Sequence, residues 1–279
     1  MELHAALVQL NASDDPVANL PVTERLIRQA ASQGAVLVLT PEVTNIVSAS
    51  RTVQNERLAL EDDDATLARL RAVTAELGIW LSLGSLALKS GDPDGRFVNR
   101  QFLIGPDGGI GARYDKIHMF DVELGGEESY RESKGYRAGE QAVAADTPWG
   151  KLGLTICYDM RFPALYHCLG TAGASILTVP SAFTVPTGRA HWEVLLRARA
   201  IETGCFVLAA AQTGTQTASR GRVRETYGHS IAIDPWGRVL ADAGEAVGVT
   251  HITLDLDAVA QARAKIPSIA NSRKFTAPL

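Results

Sequence analysis

The sequence predicts an α/β protein with stacked sheets, on three observations. Short apolar runs alternate with helix-period segments along the chain. Two hairpin patterns echo each other at corresponding places in its two halves. Three apolar runs end abruptly in polar or special residues, as strands do beside a binding crevice.

The elements follow in order. Leu3 to Leu10 reads as a strand. Pro16 to Gln33 reads as a helix, with Leu20, Ile27 and Ala31 on one face and Gly34 as its stop. Ala35 to Leu39 is a buried-strand run, Asp64 to Leu77 a second helix closed by Gly78, and Ile79 to Leu88 another strand. In the first hairpin, Gln101 to Ile104 turns through Gly105-Pro106-Asp107-Gly108 into a run ending at Tyr114. In the second, Ser230 to Asp234 turns through Pro235-Trp236-Gly237 into Arg238 to Ala241. Phe120 to Gly139 is polar, holds four glycines and shows no period, so it reads as a long functional or disordered loop that closes over a site. No linker divides the chain, and 279 residues suit one large domain over positions 1–279.

Composition narrows the partners. Hydrophobic residues make up 46% and charged residues 21%, as in an ordinary globular protein. A net charge of −4 argues against nucleic acid, which needs concentrated Lys and Arg. The densest basic spot, Arg220, Arg222 and Arg224, reads as a solvated loop. No apolar stretch approaches the ~20 residues of a spanning helix, and Met1 to Leu10 lacks the pattern of a secretory signal. Three cysteines without a C-x-x-C pair fit free thiols in a reducing cytoplasm. They exclude a Cys-rich zinc site, and none of the six histidines stands at metal-ligand spacing from another ligand, so no metal is expected.

The candidate residues stand where runs end. Ala35 to Leu39 leads into Thr40-Pro41-Glu42, Leu152 to Ile156 into Cys157-Tyr158-Asp159, and Ala174 to Val179 into Pro180-Ser181. A carboxylate at the end of an apolar strand is costly unless paired or facing a cleft. A free Cys after a buried strand is either a nucleophile or a small core residue. Lys116 follows the first hairpin in Tyr114-Asp115-Lys116-Ile117-His118. Cys168 and Cys205 sit within helix and strand patterns and read as core. A Cys–His pair using His118 or His229 stays open at this point.

Together these residues resemble the nitrilase superfamily of carbon–nitrogen hydrolases. The likeness rests on Pro41-Glu42, on Tyr114 to His118, and on Gly153-Leu154-Thr155-Ile156-Cys157-Tyr158-Asp159, and it covers nearly the whole chain. A finer likeness to the Nit branch rests on Cys157 to Pro163, Pro180 to Thr184, Ala190 to Glu202, Tyr227 to Ser230 and Asp234 to Gly237. Thr40 departs from the pattern, where an aromatic or aliphatic residue usually precedes Pro-Glu.

The resemblance implies a four-layer αββα sandwich, assembled as a homodimer or higher homo-oligomer. It implies a hydrolase of small amides with Cys157 as nucleophile, Glu42 as general base and Lys116 beside the developing charge. Glu132 matches the second carboxylate, with Glu127, Glu128 and Glu140 as rivals. The Lys116 cation would lower the thiol pKa, and Lys116 with the Tyr158 N–H would hold the oxyanion. No cofactor is required. Nit-branch activities concern amides that carry a 2-oxo acid, with deaminated glutathione expected first and 2-oxoglutaramate next. Arg161 is the candidate for the substrate carboxylate, against a pairing with Asp159 or a neighbouring helix. Phe183 and Thr184 would shape the pocket. A carbamoylase, a nitrilase, or a silent scaffolding relative are the other readings.

Overall fold

Side-chain alternation sets the first half of the molecule. In strand β1 (Glu2–Gln9), Leu3, Ala5 and Leu7 enter one apolar cluster and Ala6 and Val8 another. A strand buried on both faces needs cover on both, so it lies inside a layered structure. A computed structural model of the chain describes residues 1–125, 128–276 and 278, and it shows these layers.

After β1 come helix α1 (Pro16–Ser32), strand β2 (Leu37–Leu39), helix α2 (Arg51–Arg57), helix α3 (Ala65–Leu77) and strands β3 (Trp80–Lys89), β4 (Phe97–Ile104) and β5 (Ile110–Asp115). Asp64 caps α3 by accepting from the Leu67 N–H at 2.7 Å. A small hairpin follows, β6 (Asp121–Gly125) and β7 (Glu128–Arg131). The second half runs β8 (Val143–Thr147), β9 (Gly150–Leu154), α4 (Pro163–Thr171), β10 (Ala174–Thr178), α5 (Val185–Thr203), β11 (Phe206–Ala209), β12 (Thr213–Thr215), β13 (Glu225–Tyr227), β14 (Ile231–Ile233), β15 (Val239–Asp242), β16 (Gly248–Asp255) and α6 (Asp257–Lys265).

The strands build two six-stranded sheets, ordered β16-β1-β2-β3-β4-β5 and β15-β14-β11-β10-β9-β8. Each has three parallel strands at its centre and antiparallel strands at its edges. The hairpins read from the sequence form opposite-numbered edges, β4–β5 and β14–β15. Leu26 and Ile27 of α1 and Leu70 and Val73 of α3 cover the outer face of the first sheet. Its inner face joins the second sheet in one cluster, which continues to Tyr166 of α4 and Trp192 and Leu196 of α5. The order is therefore helix, sheet, sheet, helix. Polar links also cross the seam. The Gln101 amide donates to Ser82 and, across the sheets, to Thr178 at 2.8 Å, and the Ser230 N–H and hydroxyl both donate to Gln9.

Three expectations are corrected. Residues 120–139 are not a structureless loop: they hold β6, β7 and a 3-10 turn over Glu132–Lys134. Helix α2 was unforeseen, because its seven residues give too short a period, although Ser50 caps it through the Val53 N–H. Cys168 is exposed on α4, while Cys205 is buried as expected. Among the described residues, no helix is long and apolar enough to cross a membrane.

Candidate active site

Glu42 is placed by a bulge in its neighbour strand. The β3–β4 register shifts between Leu83 and Leu86, and there β3 grips the segment after β2. The Ser85 hydroxyl accepts from the Val43 N–H at 2.8 Å, and the Ser85 carbonyl from the Thr44 N–H at 2.9 Å. A Cβ on Gly84 would stand 1.9 Å from the Thr40 carbonyl oxygen, so only glycine permits this approach. Thr40, the departure from the family pattern, has a use here. Its buried hydroxyl accepts from the Gly84 N–H at 2.9 Å and from Thr44 at 3.0 Å. Val43 itself has a φ of +49°, a strained value for a β-branched residue.

The Glu42 carboxylate is enclosed by donors. Oε1 accepts from Asn99 Nδ2 and Lys116 Nζ, both at 2.9 Å, and Oε2 from the Ala182 N–H at 2.8 Å. Lys116, only 2% exposed, also donates to both Glu132 oxygens at 3.1 and 2.9 Å. Glu132 is fixed in turn by the Phe120 N–H at 2.6 Å. Of its rivals, Glu140 is exposed, and Glu127 and the Glu128 side chain lie outside the described residues. Burial opposes the Glu42 charge, but the Lys116 cation and the hydrogen bonds of Lys116 and Cys157 outweigh it and hold the carboxyl below its usual range. Burial likewise opposes the Lys116 ammonium, and Glu132 and Glu42 together hold its pKa well above normal.

Cys157 opens a five-residue 3-10 turn and has a φ of +49°. Its N–H donates to the Pro180 carbonyl at 2.9 Å. Asp159, wholly buried, pins this turn. It accepts from the Ile156 N–H at 2.9 Å, the Tyr114 hydroxyl at 2.6 Å and the His118 N–H at 3.0 Å, and it meets His118 Nδ1 at 2.7 Å. Asp159→Asn keeps the shape but turns one accepting oxygen into a donor, facing donors it cannot satisfy. We expect it to lower unfolding free energy by about 1–3 kcal/mol, read from urea midpoints, with a fall in kcat. Unchanged values on both would remove Asp159 from this role.

The thiol departs from expectation. Burial first, then the Glu42 charge, push its pKa far above normal, and the Lys116 cation and the Ala182 N–H do not offset them. Lys116 acts to lower the thiol pKa, but it does not outweigh burial and the Glu42 charge, so the thiolate is disfavoured until a base takes its proton.

Cys157, Glu42, Lys116, Glu132, Phe183 and Thr184 all line one cavity of about 450 Å³. Asn99, Tyr136 and Arg224 share it and were missed. Asn99, a buried polar side chain inside an apolar strand, was the available signal. Tyr158 and Arg161 are not among the lining residues. The Tyr158 ring packs edge-on to Phe120 and Phe162. Arg161 lies over the Tyr158 and Phe183 rings and reaches His191 of α5 at 3.3 Å, not Asp159. The loop of Arg220, Arg222 and Arg224 is not simply solvated, because Arg222 and Arg224 line the cavity wall. Neither His118 nor His229 lines the cavity with Cys157, as a Cys–His pair would need. His118 is bound to Asp159 and stacked on Phe162, and His229 meets Asp242 and stacks on Tyr227. Among the described residues, no three His, Cys, Asp or Glu side chains gather as metal ligands.

The sequence profile of carbon–nitrogen hydrolases matches residues 4–264. The chain belongs to the carbon–nitrogen hydrolase family. This hydrolase is 39% identical over 272 residues to the deaminated glutathione amidase of Yersinia enterocolitica, spanning 97% of this chain and 93% of that one. Its fold overlays the crystal structure of the C. elegans NitFhit protein with a TM-score of 0.89 at 38% identity, covering 98% of this chain and 65% of that longer one. It is also similar to a mutant amidase from Nesterenkonia sp. AN1, at 26% identity and a TM-score of 0.76, covering 95% and 98% of the two chains. In that structure acrylamide has undergone Michael addition at the active-site cysteine.

Proposed function

We propose that this hydrolase is an amidase in which Cys157 attacks, Glu42 is the general base and Lys116 steadies the developing charge. The observation that carries this reading is that Glu42, bound by Lys116 at 2.9 Å, lines one cavity with Cys157. A resting thiol needs a base, and Glu42 takes its proton as sulfur bonds to the amide carbon. The tetrahedral oxyanion is held by Lys116 and the Tyr158 N–H. Glu42 then gives the proton to the leaving amine as the C–N bond breaks, leaving a thioester. Water next loses a proton to Glu42 and attacks the thioester carbon; the acid leaves and the thiol recovers its proton. Glu132 holds Lys116 in place, while Phe183, tilted against Trp192, and Thr184, bonded to Thr187, shape the pocket.

The substrate is proposed as a small amide carrying a 2-oxo acid, deaminated glutathione first. The Yersinia relative's name supports it, as does the cationic cavity wall. Arg161 gives up its part, since its guanidinium is engaged by His191 and the Tyr158 and Phe183 rings, whereas Tyr158 is asked only for its main-chain N–H. We further take the chain to act as one domain over 1–279, in homodimers or larger assemblies, in the reducing cytoplasm that suits its free thiols. Side-by-side assay of deaminated glutathione, 2-oxoglutaramate and a simple nitrile tests the reading. The highest kcat/KM should fall on deaminated glutathione; a preference for the nitrile would overturn it.

A further inference from the structure

The chain carries a net charge of −4, yet six cationic side chains and only two carboxylates line its cavity among the described residues. Three of these cations are engaged by neighbouring groups. Lys116 is taken up by Glu42 and Glu132. Arg51 binds the Gly135 and Gly95 carbonyls and stacks 3.9 Å over Phe97. Arg131 pairs with Glu123.

Arg224 is held differently. Its Nη2 donates to the Ala182 carbonyl at 3.0 Å, which fixes the side chain on the cavity wall. Its Nε is buried without a hydrogen-bond partner. Leaving a buried donor unmade is unfavourable, so such a group is one that a ligand in the cavity would complete. The guanidinium also lies 5.9 Å from the Tyr130 ring, which flanks it without satisfying a donor. Position matters as much as charge. Ala182 gives its N–H to Glu42 and its carbonyl to Arg224. One residue therefore separates the proposed base from the guanidinium, and the gap is no more than about 10 Å.

We propose that Arg224 receives the carboxylate at the far end of the substrate's acyl part, and so selects acidic, short dicarboxylic acyl groups. This rests on the amidase reading and names the residue that sets its specificity. The guanidinium fork matches a carboxylate with two parallel hydrogen bonds, which a lysine cannot reproduce.

The test uses the product acid and one close relative. 2-Oxoglutarate and levulinate (4-oxopentanoate) differ only in the distal carboxylate. Calorimetry on the Cys157→Ala protein should show 2-oxoglutarate binding about 10- to 150-fold tighter, the worth of a charged hydrogen bond. Adding Arg224→Gln should erase that preference, and Arg224→Lys should restore only part of it. A preference that survives Arg224→Gln overturns the proposal. So does an equal loss for both acids, which would mean that Arg224 only braces Ala182 and Glu42. If Arg224→Gln does not fold, as judged by its melt, Arg224→Lys decides, and an undiminished preference there overturns the proposal. Because these arms read binding, they stand apart from amidase activity; a wild-type protein that hydrolyses no amide would sink the parent reading alone.

Discussion

Cys157→Ala is expected to lose at least about 10⁴-fold in turnover while remaining folded. Removing a covalent nucleophile costs up to ~10⁶-fold in well-studied hydrolases, since no other group takes over the bond-making step. The structure offers no substitute here. Cys168 is exposed on α4, and Cys205 is buried against the Ala174 carbonyl beyond the cavity lining. Alanine keeps the Cβ, so the strain at φ +49° is unchanged, and one sulfur atom is lost from a cavity wall rather than a sealed core. Unfolding free energy should therefore shift by no more than about 1 kcal/mol. Intact-mass measurement during turnover supplies a second reading: the wild-type protein should carry the acyl group of a slow substrate, and the variant none. Wild-type turnover in the variant would sink the thiol mechanism altogether.

Lys116→Met should damage both activity and stability. The ammonium sits between Glu42 and Glu132 with all three groups largely buried. Removing it leaves two carboxylates facing each other in low dielectric, at a cost of about 3–5 kcal/mol near neutral pH. Losing an oxyanion donor adds ~100- to 1000-fold in rate. The pH dependence gives the sign. In the wild-type protein Glu42 is held below its unfolded value. Its contribution is present above about pH 4.3 and lost as pH falls through the lower folded value. In the variant, burial and mutual repulsion raise the folded carboxyl values instead. That contribution is present below about pH 4.3 and lost as pH rises through the raised value. The stability gap between the two proteins should therefore widen from pH 5 to pH 8 in urea titrations. A gap that narrows would show that Lys116 does not neutralise the pair.

Much of this molecule is legible in its sequence, where local rules act alone. Both edge hairpins follow from turn residues, and helices α1 and α3 from period, cap and stop glycine. Glu42 and Cys157 stand out because each closes an apolar run, and Lys116 because it follows the first hairpin in Tyr114 to His118. What stays hidden depends on contacts between distant segments. Nothing local says that the Ala182 N–H reaches Glu42 across 140 positions, or that Arg224 in a polar loop turns inward. Cys168 fails because helical position does not fix which face is buried. The net state of the thiol stays hidden because it is a balance: Lys116 lowers its pKa as expected, but burial and Glu42 outweigh the cation, and only the assembled site sets those weights.

The seam between the sheets has a consequence for synthesis. Glu42, Lys116 and Glu132 come before residue 140, while Cys157, Ala182 and Arg224 come later. Strand β1 also waits for β16 at Gly248–Asp255 to complete its sheet. A chain emerging from the ribosome thus holds half of the candidate site until Cys157 is made, and an unpaired β1 edge until β16 follows. Such distant pairings fold slowly. They also keep Cys157 apart from Glu42, its proposed base, until the sandwich shuts, so on that reading chemical competence arrives together with the finished fold.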